Sequence, residues 1–187
     1  MKQNILPAIR LTIVCIVAFI VIYPLLIFGI AQAAPAKGKG ETVTVNNKTV
    51  GYTLEGQNFT EDKYFYSRPS AVGYNAAGSA GSNKGPTNPD YLQTVQDRID
   101  TFLVHNPAVK KEDIPSELVT ASGSGLDPDL SPAAAKVQVK RIAAVRNIDE
   151  NKLTALVDAH TEKPLLDLFG TEKVNVLALN IALDELK

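Results

Sequence analysis

The apolar stretch that begins at Leu11 and ends at Ile30 reads LTIVCIVAFIVIYPLLIFGI and determines how the chain is organised. It contains no charged residue, and fourteen of its twenty residues are Leu, Ile, Val or Phe. A helix rises about 1.5 Å per residue, so twenty residues span about 30 Å, the thickness of a bilayer's hydrocarbon core. Each such residue favours insertion by about 0.4 kcal/mol, which gives on the order of 6 kcal/mol in total. The sequence therefore predicts a transmembrane helix over residues 11–33, preceded by a short segment of residues 1–10.

Pro24 lies inside this predicted helix. Its ring removes one backbone N–H and displaces the carbonyl group of Ile20, which predicts a local distortion of the helix. A membrane helix tolerates such a distortion where a neighbouring helix or water satisfies the freed carbonyl group.

A cleaved signal peptide is the alternative interpretation of the same stretch, because Ala31-Gln32-Ala33 resembles the small-x-small cleavage pattern. Twenty apolar residues exceed the usual signal-peptide core of about 7–15 residues, which favours an uncleaved anchor. Basic residues lie on both sides of the stretch, so the positive-inside rule gives only a weak indication of which end of the helix is cytoplasmic. We expect a single-pass protein of the cell (inner) membrane, with a cytoplasmic N-terminus and an extracytoplasmic C-terminal domain.

The charge of the remaining chain excludes one class of function. Residues after the apolar stretch carry 17 basic and 20 acidic side chains, a net charge of about −3. A nucleic-acid-binding protein needs an excess of basic residues to neutralise phosphates, so this function is not expected. Cys15 is the only cysteine and lies in the apolar stretch, so the domain has no internal disulfide and no thiol nucleophile.

The rest of the chain predicts a linker over residues 34–41 and one α+β domain over residues 42–187. Alternating segments on either side of Asn46-Asn47, whose side chains tolerate positive φ, predict an N-terminal β-hairpin. Residues 60–66 fit a single helical turn with Thr60 as its N-cap.

About four helices are expected after the hairpin, from apolar residues at helical spacing and from N-cap residues. The predicted segments are residues 89–104 after Asn88, residues 132–146 after Ser131, residues 150–159 after Asp149, and residues 174–183. The last segment fits a buried helix capped by Asn175, and a core strand remains open. Arg141 and the other basic residues of the second helix lie where cations favour the helix dipole.

Two turn-rich stretches, residues 67–88 and 120–130, contain the candidate site residues. Ser122, Gly123, Ser124 and Gly125 precede a helix start, so their N–H groups form a candidate nest for an anion or nucleotide. The alternative is a tight connection whose hydroxyl groups bond to their own backbone. The candidates for partner contact or for loop structure are Arg68, Asn75, Ser82, Asn83, Asn88 and Asp127.

Familiar catalytic motifs are missing from the sequence. Residues 78–85, GSAGSNKG, lack the Gly-Lys-Ser/Thr of a phosphate-binding loop, and no G-x-S-x-G elbow is present. His105 and His160 have no neighbouring ligands at metal-site spacing, and Asp127-Pro128-Asp129 lacks the rest of a calcium loop. We therefore expect no catalytic residue, no metal ligand and no tightly bound cofactor.

The chain resembles the C subunit of the Kdp-type potassium-transporting P-type ATPase over nearly its whole length. The joint order and spacing of several short segments after one N-terminal anchor carry this resemblance. These segments are GQNFT (56–60), YF (64–65), RPSA (68–71), YN (74–75), GSNKGPTNP (81–89), VTASGSGLDP (119–128), SPAAA (131–135), HT (160–161) and VNVL (174–177).

The resemblance implies a non-catalytic subunit of an ATP-driven, high-affinity potassium uptake pump. It implies three partners: a potassium-translocating subunit, the P-type ATPase catalytic subunit and a small single-helix subunit. It implies a role in assembly and an increased affinity of the pump for ATP, with ATP and potassium handled by the complex. Asn and Ser oxygens of the first loop are then expected to approach the ion path. The alternatives are an exported, membrane-tethered anion or small-ligand binding module and an exported hydrolase.

Overall fold

The computed structural model describes residues 2–186. The chain divides into two compact units, Met1–Glu41 and Thr42–Lys187.

The first unit is one continuous helix followed by a turn-rich connection. Helix α1 (Lys2–Ile16) continues through a π-helical stretch (Val17–Ile22) into helix α2 (Tyr23–Ala33). Within it, Asn4–Ala33 is long and apolar enough to cross a membrane. The helix starts earlier than the apolar stretch alone predicts, because residues 4–9 also carry no charge.

The π-helical stretch lies directly before Pro24. The N–H group of Tyr23 donates a hydrogen bond to the carbonyl oxygen of Ala18, five residues earlier. The wider turn accommodates a proline, which has no N–H and whose ring crowds the preceding turn. The distortion expected at Pro24 therefore takes the form of a π-helical segment in an uninterrupted helix.

The second unit begins with the predicted β-hairpin. Strands β1 (Thr42–Val45) and β2 (Lys48–Tyr52) are antiparallel, and Val45 pairs with Lys48. Asn46 and Asn47 have φ values of 49° and 61°, as a tight two-residue turn requires. The hairpin and the mixed α+β class are confirmed.

The helical turn predicted over residues 60–66 is confined to residues 61–64. Only one turn forms, in which the N–H of Tyr64 bonds to the carbonyl oxygen of Glu61 at 3.0 Å. After this turn the chain is extended, because side-chain amides form hydrogen bonds with backbone N–H and carbonyl groups that would otherwise bond within a helix. Asn180 bonds to both the N–H (2.8 Å) and the carbonyl group (3.0 Å) of Phe65.

Helix α3 (Pro89–His105) follows the predicted bounds closely. The side-chain oxygen of Asn88 accepts a hydrogen bond from the N–H of Tyr91 at 3.0 Å, which makes Asn88 the N-cap.

The single helix predicted over residues 132–146 is two helices, α4 (Pro132–Lys136) and α5 (Val139–Arg146). The side-chain Nε2 of Gln138 donates to the carbonyl oxygen of Ala134 at 3.0 Å. The backbone N–H of Gln138 bonds instead to Ala135, three residues back. The side chain of Gln138 thus occupies the carbonyl oxygen of Ala134 that its own backbone N–H would use in a continuous α-helix, which explains the break.

The C-terminal part forms helix α6 (Glu150–Ala159), helix α7 (Val176–Glu185) and a small antiparallel sheet. Strands β3 (Asp129–Leu130), β4 (Thr161–Glu162) and β5 (Lys173–Asn175) are arranged in the order β3-β5-β4. The ambiguous segment at 174–183 is thus the end of a strand followed by a helix. Asn175 caps this helix by accepting from the N–H of Ala178 at 3.0 Å.

One hydrophobic core joins the sheet to the helices of the domain, and helix α3 contributes a single buried aromatic residue to it. The buried apolar residues are Phe65, Phe102, Leu118, Leu130, Ala134, Ala135, Val139, Ile142, Ala143, Leu153, Val157, Val174, Val176, Leu179 and Leu183.

Candidate functional site

The two turn-rich stretches, residues 67–88 and 120–130, pack against each other and are called the paired loops below. The N–H of Ser122 donates to the carbonyl oxygen of Pro69 at 3.1 Å. The hydroxyl group of Ser79 donates to the carbonyl oxygen of Ser124 at 2.8 Å. The fold therefore brings the candidate residues of the two stretches together, although up to about sixty residues separate them in sequence.

Gly125 fixes the close approach of the paired loops. Its φ is +69°, and a Cβ atom there would lie 2.6 Å from Cγ2 of Val72 and 2.7 Å from the carbonyl oxygen of Ala80. Any larger residue would be strained by both its backbone conformation and its neighbours. Gly125 thus serves loop packing as well as turn formation.

Hydroxyl groups of the candidate nest bond to N–H groups of the same segment. Ser122, which is buried, accepts from the N–H of Gly125 at 2.9 Å. Ser124 accepts from the N–H of Leu126 at 3.1 Å. Within the nest, the N–H groups of Ser122, which donates to Pro69, and of Gly125 therefore already have partners in the chain. This arrangement favours the connecting role, and an anion or nucleotide site at residues 122–125 stays a hypothesis.

A carboxylate of the chain also occupies the start of helix α4. The carboxylate of Glu117 accepts hydrogen bonds from the backbone N–H and from the hydroxyl group of Ser131. The backbone nitrogen of Ser131 lies 3.2 Å from Oε1 of Glu117. The hydroxyl oxygen of Ser131 in turn accepts from the N–H of Ala134 at 3.1 Å. An internal negative charge thus interacts with the positive end of this short helix.

Arg68 and Asp127 connect the paired loops by an ion pair. Nη1 of Arg68 lies 2.8 Å from Oδ2 of Asp127, and the two side chains are 24% and 30% exposed. The carbonyl oxygen of Arg68 accepts from the hydroxyl group of Tyr74 at 2.6 Å, and Oδ1 of Asp127 accepts from the N–H of Asp129 at 3.1 Å. Both residues have structural partners in the loops.

The remaining candidates differ in their surroundings. The side-chain oxygen of Asn75 accepts from the N–H of Ala77 at 3.0 Å, and Asn88 caps helix α3. Ser82 and Asn83 are exposed, and Asn83 has a φ of 52°. Ser82 lines a shallow cleft of about 300 Å³ together with Ser70, Ala71, Lys84, Tyr91, Thr94 and Arg98. Ser82 and Asn83 are thus exposed on the paired loops, where a partner can reach them.

A buried polar network centred on Arg141 was missed by sequence reasoning, which treated this residue as a helix-end cation. Arg141 is 7% exposed, and its guanidinium lies 3.9 Å from the ring centroid of Tyr66. Its nitrogens donate to the side chains of Asn106 (3.0 Å) and Gln138 (2.8 Å) and to the carbonyl group of Asp62. An arginine next to the apolar residues Ile142 and Ala143 of helix α5 was the available signal.

Asp62 connects this network to His105. Nδ1 of His105 lies 2.8 Å from Oδ1 of Asp62, and the hydroxyl group of Tyr66 donates to the same oxygen. That hydrogen bond, followed by the neighbouring His105 and Arg141, lowers the pKa of the Asp62 carboxyl below its ordinary value. Burial and the nearby carboxylate raise the pKa of Tyr66 to about 12. The network holds the segment that leads into the paired loops.

The histidines lie at the ends of helices. His105 is the last residue of helix α3, and Nδ1 of His160 is 2.9 Å from the carbonyl oxygen of Leu156 in helix α6. Among residues 2–186, no three His, Cys, Asp or Glu side chains form a group that could hold a metal ion. The absence of an active site within this subunit stays a prediction.

The family follows from comparison with known proteins. The model of the KdpC family, described as the c chain of the K+-transporting ATPase, matches residues 5–185. The chain belongs to the KdpC family. The match includes both the apolar helix and the whole described domain except its final residue, Leu186.

Proteins named potassium-transporting ATPase KdpC subunit support this membership. The chain is 60% identical to one from Flavobacterium psychrophilum over 185 residues, which cover 99% of this chain and 100% of that protein. It is 55% identical to one from Bacteroides fragilis, over 99% of this chain and 98% of that protein. It is 44% identical to one from Bacillus thuringiensis subsp. konkukian, over 99% of this chain and 97% of that protein.

KdpC membership and the apolar helix together indicate a membrane-anchored subunit of a potassium-transporting ATPase. As a subunit, the chain has partner subunits in that complex. The resemblance that the short segments predicted is confirmed.

Proposed function

We propose that this chain is a non-catalytic subunit that assembles and stabilises an ATP-driven, high-affinity potassium uptake pump. Its partners are the potassium-translocating subunit, the catalytic P-type ATPase subunit and a small single-helix subunit. The observation that carries the proposal is the family match across residues 5–185, which includes the membrane helix and the domain.

The proposed topology has a cytoplasmic N-terminus and an extracytoplasmic domain over residues 42–187. The linker of residues 34–41 limits how far this domain reaches from the membrane. Eight fully extended residues span at most about 28 Å. In any orientation, a domain on so short a linker stays within reach of the outer surfaces of membrane-embedded partners.

The paired loops support a binding role at such a surface because they are held together before any partner arrives. The Arg68–Asp127 ion pair (2.8 Å) and the Ser79–Ser124 hydrogen bond (2.8 Å) link the two stretches directly. A preorganised surface loses less conformational entropy on binding than a flexible one. We propose that the domain covers the outer mouth of the potassium-translocating subunit.

Within this proposal, Ser82 and Asn83 approach the ion path, because both are exposed on the paired loops. Their oxygens are of the type that coordinates hard cations. We expect Ser82→Ala with Asn83→Ala to weaken the apparent potassium affinity of the pump, measured as potassium-stimulated ATPase activity. Asn75→Ala is the control, since that side chain is bonded within its own turn. Unchanged potassium affinity in the double variant would remove these residues from the ion path.

The proposed topology also determines how this subunit raises the ATP affinity of the pump. The domain and cytoplasmic ATP lie on opposite sides of the membrane, so the effect passes through the partner subunits. We expect the isolated full chain in detergent to show no nucleotide binding in equilibrium dialysis, while its removal from the complex raises the ATP concentration needed for half-maximal activity.

Purification through this chain tests the assembly role. The full chain, with an affinity tag at its C-terminus and extracted in a mild detergent, is expected to retain the larger subunits and potassium-stimulated ATPase activity. A matched chain that ends at Glu41 keeps the helix and linker and is expected to lose most of both. A lone full-length chain that binds phosphate would favour the anion-binding module, and turnover by that chain alone would favour a hydrolase.

A further inference from the structure

The connection between strands β4 and β5 exposes four large apolar side chains. Residues 164–170, PLLDLFG, form this connection and are called the apolar tip. The exposed fractions are 70% for Leu165, 80% for Leu166, 74% for Leu168 and 61% for Phe169. Exposed apolar residues elsewhere in the domain include single positions such as Val104 on helix α3. Contiguous exposed apolar side chains mark interaction sites, whereas single ones are ordinary.

The apolar tip has a defined hydrogen-bonded conformation. Leu165 and Phe169 form an antiparallel bridge, and the N–H of Asp167 donates to the carbonyl oxygen of Pro164 at 2.9 Å. Leu166 has a φ of 57° and Asp167 a φ of 54°. A left-handed conformation is uncommon for leucine. The turn therefore holds the apolar side chains outward instead of letting them fold back onto the core.

The charges of the apolar tip distinguish a protein partner from lipid. Asp167 lies between Leu166 and Leu168 and is itself exposed, so insertion of the leucines into a bilayer would carry a carboxylate with them. Carboxylates are strongly disfavoured in hydrocarbon. Residues 162–173 contain two lysines, Lys163 and Lys173, and three acidic residues, so the tip and its flanks have no positive excess to attract anionic lipid. Of the two lysines, Lys173 is already paired with Asp129 at 2.9 Å and Glu162 at 3.5 Å. An apolar pocket with a cation or N–H donor at its rim fits this pattern better.

We propose that the apolar tip docks into such a pocket on the extracytoplasmic surface of a partner subunit of the potassium-transporting ATPase. Leu166 and Leu168 fill the pocket, and Asp167 accepts hydrogen bonds from its rim. This docking rests on the proposed function, because it requires the domain to lie outside the membrane beside its partners.

Cysteine protection tests the docking on the full chain. Cys15→Ala removes the single cysteine, after which Leu166→Cys introduces one at the tip and Val104→Cys introduces a control at a site that is 77% exposed. A membrane-impermeant maleimide is applied to intact spheroplasts that contain either this chain alone or all subunits. We expect position 166 to be labelled in the chain alone and labelled at least tenfold more slowly in the complex, while position 104 reacts equally in both.

Each other outcome has a separate meaning. Equal labelling of position 166 with and without partners would overturn the docking and leave the topology intact. Protection in the chain alone would indicate lipid or a second copy, and a disulfide-linked dimer after mild oxidation would identify the copy. Labelling of both positions only in inverted vesicles would overturn the proposed topology itself.

A second set of variants measures the contribution of the side chains. Leu166→Ser with Leu168→Ser is expected to shorten the retention of partner subunits on an affinity column by roughly tenfold or more, since central apolar anchors dominate binding energy. Asp167→Asn is expected to have a smaller effect in the same direction. Val104→Ser is the control and is expected to leave retention unchanged. Unchanged retention in the double variant would contradict the docking.

Discussion

The paired loops and the apolar tip both connect regular elements of the domain, but they differ in what their side chains contact. In the paired loops, Ser122, Ser124, Arg68 and Asp127 bond to groups within the domain. In the apolar tip, Leu166 and Leu168 are 80% and 74% exposed. The polar stretch that looks functional in sequence is largely occupied by its own contacts, while the short apolar connection is open.

This difference shows that composition alone does not tell which loop meets a partner. Gly, Ser and Asn residues provide turns and hydrogen bonds, and those bonds can be internal. Exposed leucines form no packing contacts within the domain that would compensate for the unfavourable exposure of their side chains to water.

The largest effect is expected from Gly125→Ala. The added Cβ would lie 2.7 Å from the carbonyl oxygen of Ala80, in a left-handed backbone conformation. Strain and overpacking together are expected to lower the free energy of unfolding by about 2–4 kcal/mol. Gly123→Ala is the matched control, because nothing lies within 4 Å of its Cβ position. Denaturant unfolding of the full chain in detergent, followed by circular dichroism, measures both, and equal midpoints would contradict the close packing of the paired loops.

A smaller effect is expected for the Arg68–Asp127 ion pair. A double-mutant cycle with Arg68→Met and Asp127→Asn is expected to give a coupling energy of about 1 kcal/mol, since both side chains are partly buried. The same cycle on Lys136 and Asp158, whose side chains are 43% and 55% exposed, provides the control and should give less than about 0.5 kcal/mol. If the two coupling energies are equal, the pair does not fasten the paired loops.

The pH dependence of stability tests the network that leads into the paired loops. Folding lowers the pKa of Asp62 below its ordinary value of 3.8, chiefly through the hydroxyl group of Tyr66. The resulting stabilisation is present above pH 4 and is lost as the pH falls through the lowered pKa. Asp62→Asn is expected to flatten the decline of the unfolding temperature below pH 4, and Glu61→Gln is the control. An unchanged acid profile in Asp62→Asn would contradict the role of the carboxylate.

The smallest effect on stability is expected at the apolar tip. Leu166→Ser with Leu168→Ser should change the free energy of unfolding of the chain without partners by less than about 0.5 kcal/mol, because both side chains are exposed. Leu153→Ala, at a fully buried site, should cost about 2–5 kcal/mol in the same assay. A large loss in the tip variant would mean that the leucines support the fold instead of a partner.

Local signals in the sequence predicted much of the fold. Asn46-Asn47 predicted the hairpin, Asn88 and Asp149 predicted helix starts, and the apolar stretch predicted the helix that includes residues 11–33. These features depend on neighbouring residues, so a single sequence contains them.

Features that depend on distant residues could not be predicted. The extended conformation at Phe65 and Tyr66 arises because the side-chain amides of Asn180 and Gln138 bond to the backbone of these two residues. The contact between Arg68 and Asp127 joins residues 59 positions apart. The candidate residues of the paired loops were chosen from composition and stay a prediction. Their bonds to one another could not be predicted, because those bonds require the tertiary arrangement.

Accessibility from outside the cell decides whether the domain is extracytoplasmic. Cys15→Ala with Asn151→Cys places one thiol at an exposed position of helix α6. In intact spheroplasts a membrane-impermeant maleimide is expected to label this position fully, with no gain after permeabilisation. Labelling that appears only after permeabilisation would place the domain in the cytoplasm and contradict its proposed position over the potassium-translocating subunit.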